Sequence, residues 1–494
     1  MREILTKQSA RQLALLELLW DNGWLTVSEI VKVIGGVEKT IRTDIKHLNE
    51  IIEPLKIETS FKYGVFLDKK LGVSKTHLYS LFLQKSIECQ LIEEVYKNPA
   101  ISKGDLCDCL FISETQLNRL LTKLNMELKK FSIKISNEMR FIGNERNIRK
   151  LFTSLMYEKY LSLEHMLMDG EFQLIDIVIQ RFYSENKTMI GVSDQHHFLL
   201  SKLRLKILSA VYRCQQGEYL KPGPTSFTYT TILSDEGLKK DWLIHFNLDL
   251  DEVVLYNLFA HHYEPFKLTA ICRQSGIDQI NLQMKVEGLI NGFCQKFDIQ
   301  CEKKDELVDA ILWSSFRSLG PNYILNNVIE EFVLDLTREK SDIMIELKEN
   351  FATIYDTLDF NSFDKKNMIY QSIYTLVTQW HAFRAETRKA VFTIKAALVL
   401  DVPLGHLMML KEEIEKHFQH TYVVDILPPF EQICLNNLSK YDCVLTDVFD
   451  ASEIEHIKII GVPLYFDDEF INKLHTFILE RKEDFKLFRK KILT

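Results

Sequence analysis

One pattern is written twice near the start of this chain: three helical segments, then a pair of short strand-like runs. The first copy runs Arg11–Gly23, Thr26–Ile34 and Val37–Ile52, with the strand-like stretch Lys56–Leu67 behind it. The second runs Lys85–Asn98, Ser102–Phe111 and Ser113–Lys130, with Phe131–Ile142 behind it. Helical periodicity that gives way to a hairpin after the third helix predicts a winged helix–turn–helix, here in tandem.

Local signals support each segment. Thr26 with Glu29, Ser102 with Asp105 and Ser113 with Gln116 have capping-box spacing, in which two side chains satisfy orphan amides at a helix start. Gly35-Gly36 supplies the turn after the second helix. In the third helix Val37, Ile41, Ile45, Leu48 and Ile52 are expected to point inward, leaving Lys39, Thr40, Arg42, Thr43 and Lys46 outside. In the second copy Leu117, Leu120, Leu121, Leu124 and Leu128 are expected inside. Thr115, Gln116, Asn118, Arg119, Thr122 and Lys123 are expected outside.

A charged helix face is ordinarily just a solvated one. Two copies, each with a wing, favour double-stranded DNA as the partner, with these outer faces in the groove. Lys62, Tyr63 and Arg140 in the wings would take phosphate or the minor groove. Charge agrees: 24 Lys and Arg face 19 Asp and Glu up to residue 150, and 37 face 50 beyond it. A basic front on an acidic body suits phosphate contact.

The chain of 494 residues is long enough for three or four domains at about 150 residues each. No apolar run approaches the roughly 18 residues of a membrane span, and the start has no signal-peptide core. Nine cysteines without framework spacing fit a reducing cytoplasm. Cys107 and Cys109 have the look of a metal pair, but no further ligands follow at zinc spacing, so no metal and no cofactor are expected. Phosphate-cradling glycine loops, HExxH and GxSxG are absent, and no nucleophile–base pair has a usable spacing. An enzyme is therefore not expected.

Past residue 150 the chain reads as amphipathic helices in two blocks, about 165–290 and 291–388. The last hundred residues alternate. Strands are expected at Phe392–Leu400, Tyr422–Leu427, Tyr441–Thr446 and Lys458–Val462. Helices are expected at Leu404–Phe418, Ser452–His456 and Glu469–Phe485, giving a small parallel α/β sheet.

This plan resembles the Mga/AtxA family of virulence regulators of Gram-positive bacteria. Val37–Ile45 (VEKTIRTDI) and Ser113–Leu121 (SETQLNRLL) look like that family's recognition helices. Gln195–Leu205 (QHHFLLSKLRL) resembles the start of its first phosphotransferase-system regulation domain. The resemblance implies a mainly α, multidomain chain. It divides into a first winged helix–turn–helix (1–70), a second of Mga type (71–160), two helical regulation domains (161–290 and 291–389) and a small enzyme IIB-like α/β domain (390–494).

It also implies a cytoplasmic, homodimeric transcriptional activator working with RNA polymerase. Histidines in its regulation domains would take phosphate from HPr or enzyme II components. The candidates are His196 and His197 beside Asp194, His261 next to His262, and His381 in Gln379–Phe383. Phosphate at His197 would need Lys202 and Arg204 to turn toward it, and at His381 would have Arg384 one turn on. Where an enzyme IIB carries its reactive cysteine, this chain has Asp401–Gly405; Cys434 and Cys443 lie elsewhere in apolar settings. A phosphocysteine relay is thus not expected, and a structural or dimerising role is. The alternative is an RNA-binding antiterminator with the same regulation domains, which would begin with a small β-rich domain instead of helices.

Overall fold

Thr6 opens the first helix: its side chain accepts the Ser9 N–H, so α1 (Lys7–Asp21) starts one turn before the expected Arg11. The computed structural model describes residues 1–69, 73–160, 168–186, 200–221, 227–263, 272, 276–339, 341–388, 393–418, 421–427, 440–447 and 457–493. They divide into two compact units. One comprises Met1–Gly292, Glu302–Glu339 and Met344–Gln379; the other comprises Phe293–Cys301, Lys340–Ile343 and Trp380–Thr494.

In the larger unit, α1 is followed by α2 (Val27–Ile34), α3 (Glu38–Asn49) and a hairpin of β1 (Lys56–Ser60) and β2 (Gly64–Asp68). The second module has α4 (Lys75–Lys85), α5 (Ile87–Lys97), α6 (Lys103–Leu110), α7 (Glu114–Leu128) and a hairpin of β3 (Ile133–Ile135) and β4 (Phe141–Gly143). The expected helix from Lys85 is preceded by another, α4, and Ser86 separates the two by accepting the Cys89 N–H as the cap of α5. All three capping boxes form. Val37 departs from expectation. It is the N-cap of α3, with extended backbone, and its side chain is 62% exposed instead of packed on the inner face.

The modules share one core. Leu13, Leu16, Ile41, Leu48, Leu83, Leu91, Leu117 and Leu124 are all fully or almost fully buried in it. The same core takes in Ile148, Phe152 and Leu155 of α8 (Glu145–Tyr160). Continuous apolar packing of this kind, at about 25 cal/mol per Å² of buried apolar area, fixes the modules to each other and to α8.

Helices continue through α9 (Asp169–Asn186), α10 (Leu200–Gln215), α11 (Thr230–Leu233), α12 (Glu236–Phe246) and α13 (Glu252–Tyr263). These five pack around Ile175, Phe182, Ile207, Trp242 and Phe259. Then come α14 (Gln279–Phe297), α15 (Lys304–Arg317), α16 (Val328–Glu339), α17 (Ser341–Asp356) and α18 (Ser362–Gln379).

The smaller unit holds α19 (His381–Arg388), β5 (Ile394–Val399), α20 (Leu404–His417), β6 (Tyr422–Ile426), β7 (Cys443–Thr446), β8 (Lys458–Gly461) and α21 (Asp468–Leu493). Its four strands are parallel in the order β6-β5-β7-β8. The near-unbroken apolar runs of β5 and β7 follow from this, because a parallel strand is covered on both faces. The expected helix Ser452–His456 lies outside the described residues.

Candidate nucleic-acid interface

The two modules superpose in sequence without insertion from the cap of the second helix to the end of the third. Thr26 corresponds to Ser102, Glu29 to Asp105, Gly35 to Phe111, Ile41 to Leu117, Ile45 to Leu121, Leu48 to Leu124 and Asn49 to Asn125. The turn residue has positive φ in both, +84° at Gly35 and +53° at Phe111. A bulky residue pays for that conformation. Phe111 also leaves its ring 95% exposed, at the turn leading into α7.

Helix α3 is anchored from behind. Asp44 is buried and accepts from Arg11 Nε at 2.6 Å, Arg11 Nη2 at 3.2 Å and Gln12 Nε2 at 3.1 Å. On the opposite side Glu38, Lys39, Arg42, Thr43 and Lys46 line one open concavity. Thr40, half-buried, sits at its margin. Thr43 Oγ1 donates to the Lys39 carbonyl at 3.0 Å. Arg42 lies 3.8 Å from Glu38, both well exposed, a surface pair worth little and easily exchanged for a phosphate.

On α7, Thr115, Asn118, Arg119 and Thr122 are exposed along one face. Thr122 Oγ1 donates to the Asn118 carbonyl at 2.8 Å. Gln116 is exposed, but its side-chain oxygen is committed to the Ser113 N–H at 3.0 Å. Lys123 departs from its expected place in the groove. It is half-buried and donates to the Leu5 carbonyl, because the short 3₁₀ turn Arg2–Ile4 packs against α7 and presents an unsatisfied acceptor there.

The wings differ. In the first, Phe61 is fully exposed at the tip beside exposed Lys62 and Tyr63, and Lys62 Nζ lies 5.2 Å from the Tyr63 ring centroid. Trp24 supports this wing, stacked on Phe66 at 5.2 Å and tilted against Tyr63 at 5.8 Å. Gly64, with φ +98°, passes so close to the Leu25 carbonyl that no side chain fits. In the second wing Arg140 is exposed on a turn held by the Ser136 N–H to Arg140 carbonyl bond of 2.8 Å. Sequence reasoning missed Phe61 and Phe111; their only signal was an aromatic residue inside a predicted turn.

Two helix–turn–helix families match this front: residues 71–156 match the Mga helix-turn-helix domain, and residues 6–57 match the M protein trans-acting positive regulator (MGA) HTH domain. The front thus carries two helix–turn–helix domains of Mga type, and the chain's relatives are trans-acting regulators. Both matched domains are those of transcriptional regulators and not of enzymes. Over 93% of its length the chain is 23% identical to a protein of Streptococcus pneumoniae serotype 4 described as a trans-acting regulator, covering 95% of it. It is 26% identical to the capsule synthesis positive regulator AcpA of Bacillus anthracis over 35% of this chain and 36% of that one. It is 25% identical to the anthrax toxin expression trans-acting positive regulator of the same organism, over 29% of this chain and 30% of that one. The helical front departs from the β-rich start that an antiterminator of the alternative kind would have.

Outside the front, the histidine candidates fall unevenly. His196 and His197 lie outside the described residues. His261 is in the last turn of α13, its side chain outside the described set. His381 is exposed at the first position of α19. Lys202 and Arg204, which phosphate at His197 would need to turn toward it, each have another neighbour. Arg204 makes a two-pronged pair with Asp176 at 2.5 and 2.6 Å over the Phe172 ring, and Lys202 Nζ lies 5.0 Å from the Tyr157 ring centroid. Cys107 is buried and Cys109 exposed, and no metal-holding group of three or more ligands occurs among the described residues. Among those residues no helix is long and apolar enough to cross a membrane.

Proposed function

We propose that this protein is a DNA-binding transcriptional activator that reads duplex DNA with both front modules. The observation that carries the reading is the repeated arrangement of α3 and α7. Each is buried on one side, open on the other, and followed by a wing. Lys39, Arg42, Thr43 and Lys46 would meet the groove from α3, and Thr115, Asn118 and Arg119 from α7, with Thr40 and Gln116 at the margins. Lys62 and Arg140 would reach backbone phosphate. Because both modules share one core, their spacing on DNA would be fixed. The relatives' names as positive regulators support activation, with RNA polymerase as the downstream partner.

Regulation would enter through the helical blocks, by phosphate from HPr or enzyme II components on His196, His197, His261 or His381. The parallel sheet would be the enzyme IIB-like part and would help form the homodimer. Two features favour a structural role for it over a relay. The segment after β5, Asp401–Gly405, has no cysteine, and burial pushes the Cys443 thiol up to about 12, far from the thiolate a nucleophile needs.

The test is fluorescence anisotropy of the whole protein on labelled promoter duplexes across a salt series. Affinity should fall steeply with salt. It should fall further when Arg42 and Arg119 are both replaced by Ala. Unchanged affinity and slope in that double variant would remove α3 and α7 from the interface.

A further inference from the structure

The turn of a β-hairpin is ordinarily built from glycine, asparagine, aspartate or serine. The tip of the first wing is Phe61-Lys62-Tyr63 instead. Ser60 stands opposite Gly64 in the hairpin, so these three residues are the whole loop. Ser60 Oγ accepts the Lys62 N–H at 3.2 Å and the Tyr63 N–H at 3.3 Å, which ties the loop back to β1. Tyr63 leans on Trp24 and Lys62 on Tyr63, whereas the Phe61 ring stands wholly in water, 115% exposed.

The hairpin behind this tip is braced on two sides. Leu25 and Val65 exchange backbone bonds of 2.9 and 2.7 Å, so the segment between α1 and α2 adds a rung to β2. On the other strand Asn49, at the end of α3, holds both the N–H and the carbonyl of Ile57. A single exposed apolar side chain is common on any surface. Phe61 differs in where it stands: at the end of a preformed projection, beside a lysine, on the element tied to α3. The exposed carboxylate of β1, Glu58, lies back from the tip, opposite Phe66. The second wing has no such ring. Its turn presents Asn137, Glu138 and Arg140, with Met139 buried.

We propose that Phe61 is a wedge: on promoter DNA its ring enters the minor groove between two neighbouring base pairs and bends the duplex. The inference rests on the DNA reading above and adds a deformation of the DNA to it. A minor groove about 6 Å wide admits a side chain from a hairpin tip and not the hairpin itself. Apolar wedges of this kind unstack a base step and kink the duplex, and an aromatic ring replaces part of the lost stacking. Lys62 next to the ring would meet a phosphate at the groove edge. Because the tip is already formed, little ordering is left to be done on binding. Pyrimidine–purine steps unstack most readily, so the wedge would select such a step without reading its base edges.

The experiment uses the full chain on the promoter duplex bound most tightly in the salt series. Energy transfer between dyes at the two ends reports bending. 2-Aminopurine, placed in turn at each pyrimidine–purine step, reports unstacking. The parent should bend the duplex by roughly 20–90° and brighten 2-aminopurine at one step severalfold. Phe61→Ser should still bind, with the parent's melting temperature, but with the bend reduced and the brightening gone. Phe61→Leu, which keeps an apolar wedge, should restore most of both. A straight duplex under the parent, or equal bend and brightening with Phe61→Ser, would overturn the proposal while leaving the DNA reading intact. Phe61→Ser losing promoter activation while bending DNA like the parent would place the tip against a protein and overturn it too. No binding of any duplex by the parent would remove the DNA reading, and the wedge with it.

Discussion

Asn49 and Asn125 do the same job in the two front modules: each clamps the end of its module's last helix, α3 or α7, to the first strand of the wing. Asn49 Nδ2 donates to the Ile57 carbonyl at 3.0 Å and its Oδ1 accepts the Ile57 N–H at 2.7 Å. Asn125 does so with Ile135 at 2.9 and 2.7 Å. An amide carries both a donor and an acceptor on one plane, so a single side chain can satisfy a strand residue on both sides. One residue in each module thereby ties the helix end to the wing.

Replacing Asn49 or Asn125 by Ala should therefore free a wing without emptying a core. The expected loss is about 1–3 kcal/mol, since a strand N–H and carbonyl are left without partners. Hydrogen exchange should show the Ile57 or Ile135 amide losing protection in the matching variant while the α3 and α7 amides keep theirs. Equal loss of protection across a whole module would mean that the asparagine holds the module's fold and not the wing's angle.

Arg119 and Lys123, one helical turn apart on α7, should separate binding from folding. Arg119 is exposed on the outer face, and its replacement by Ala should weaken DNA binding by roughly 1–3 kcal/mol with little change in melting temperature. Lys123 serves the Leu5 carbonyl, so Lys123→Ala should lower the melting temperature and leave the salt slope of binding unchanged. Anisotropy and melting on the same two variants check both halves. A reduced salt slope for Lys123→Ala would put its ammonium back on DNA.

The contrast between these two residues shows what was legible in the sequence. The caps at Thr26, Ser102 and Ser113 could be read directly, because a capping box is closed within four residues. The alternating strands of the C-terminal sheet were legible for a similar reason: each is a short apolar run bounded by its own breaks. Lys123 was misread because its partner at Leu5 is supplied by a distant segment that periodicity cannot see. Val37 was misread because a cap residue leaves the helical path just where the inward stripe would begin. The bond from Lys150 to the Leu319 carbonyl had no local trace at all, since it joins segments far apart in the chain.

Lys150 should carry a measurable pH signature. Burial and Arg317, with Arg146 adding and Asp364 opposing, hold it at about 8 in the fold against an ordinary 10.5. Between those values the unfolded chain keeps a proton that the folded chain has lost, so stability rises with pH across that window. The penalty is complete below pH 8 and gone above the unfolded value. Lys150→Met should accordingly stabilise the chain at pH 7 by on the order of 1–3 kcal/mol, the upper end being the full shift without solvent screening. The gain should vanish near pH 10.5. Denaturant melts of parent and variant at both pH values check this, and a gain that persists unchanged at high pH would trace to packing and not to charge.

His381 is the histidine candidate on which a charge can be placed with a clear expectation. It is the exposed first residue of α19, where the helix presents unsatisfied N–H groups and the positive end of its dipole. A phosphoryl group or a carboxylate there is favoured, by about 0.3–1 kcal/mol for a single charge. Arg384, one turn on, adds a cation on the same face. His381→Asp should thus steady α19, and His381→Ala should be neutral or slightly destabilising. Hydrogen exchange over Ala382–Arg388 reads the helix directly, and a promoter reporter with dimer affinity reads the consequence. If the Asp variant exchanges faster than the parent, negative charge disrupts this end of the smaller unit, and phosphorylation of His381 would act by loosening it. If exchange slows and both reporter and dimer affinity match the parent, the site is accommodated but carries no signal, and His381 leaves the set of switches.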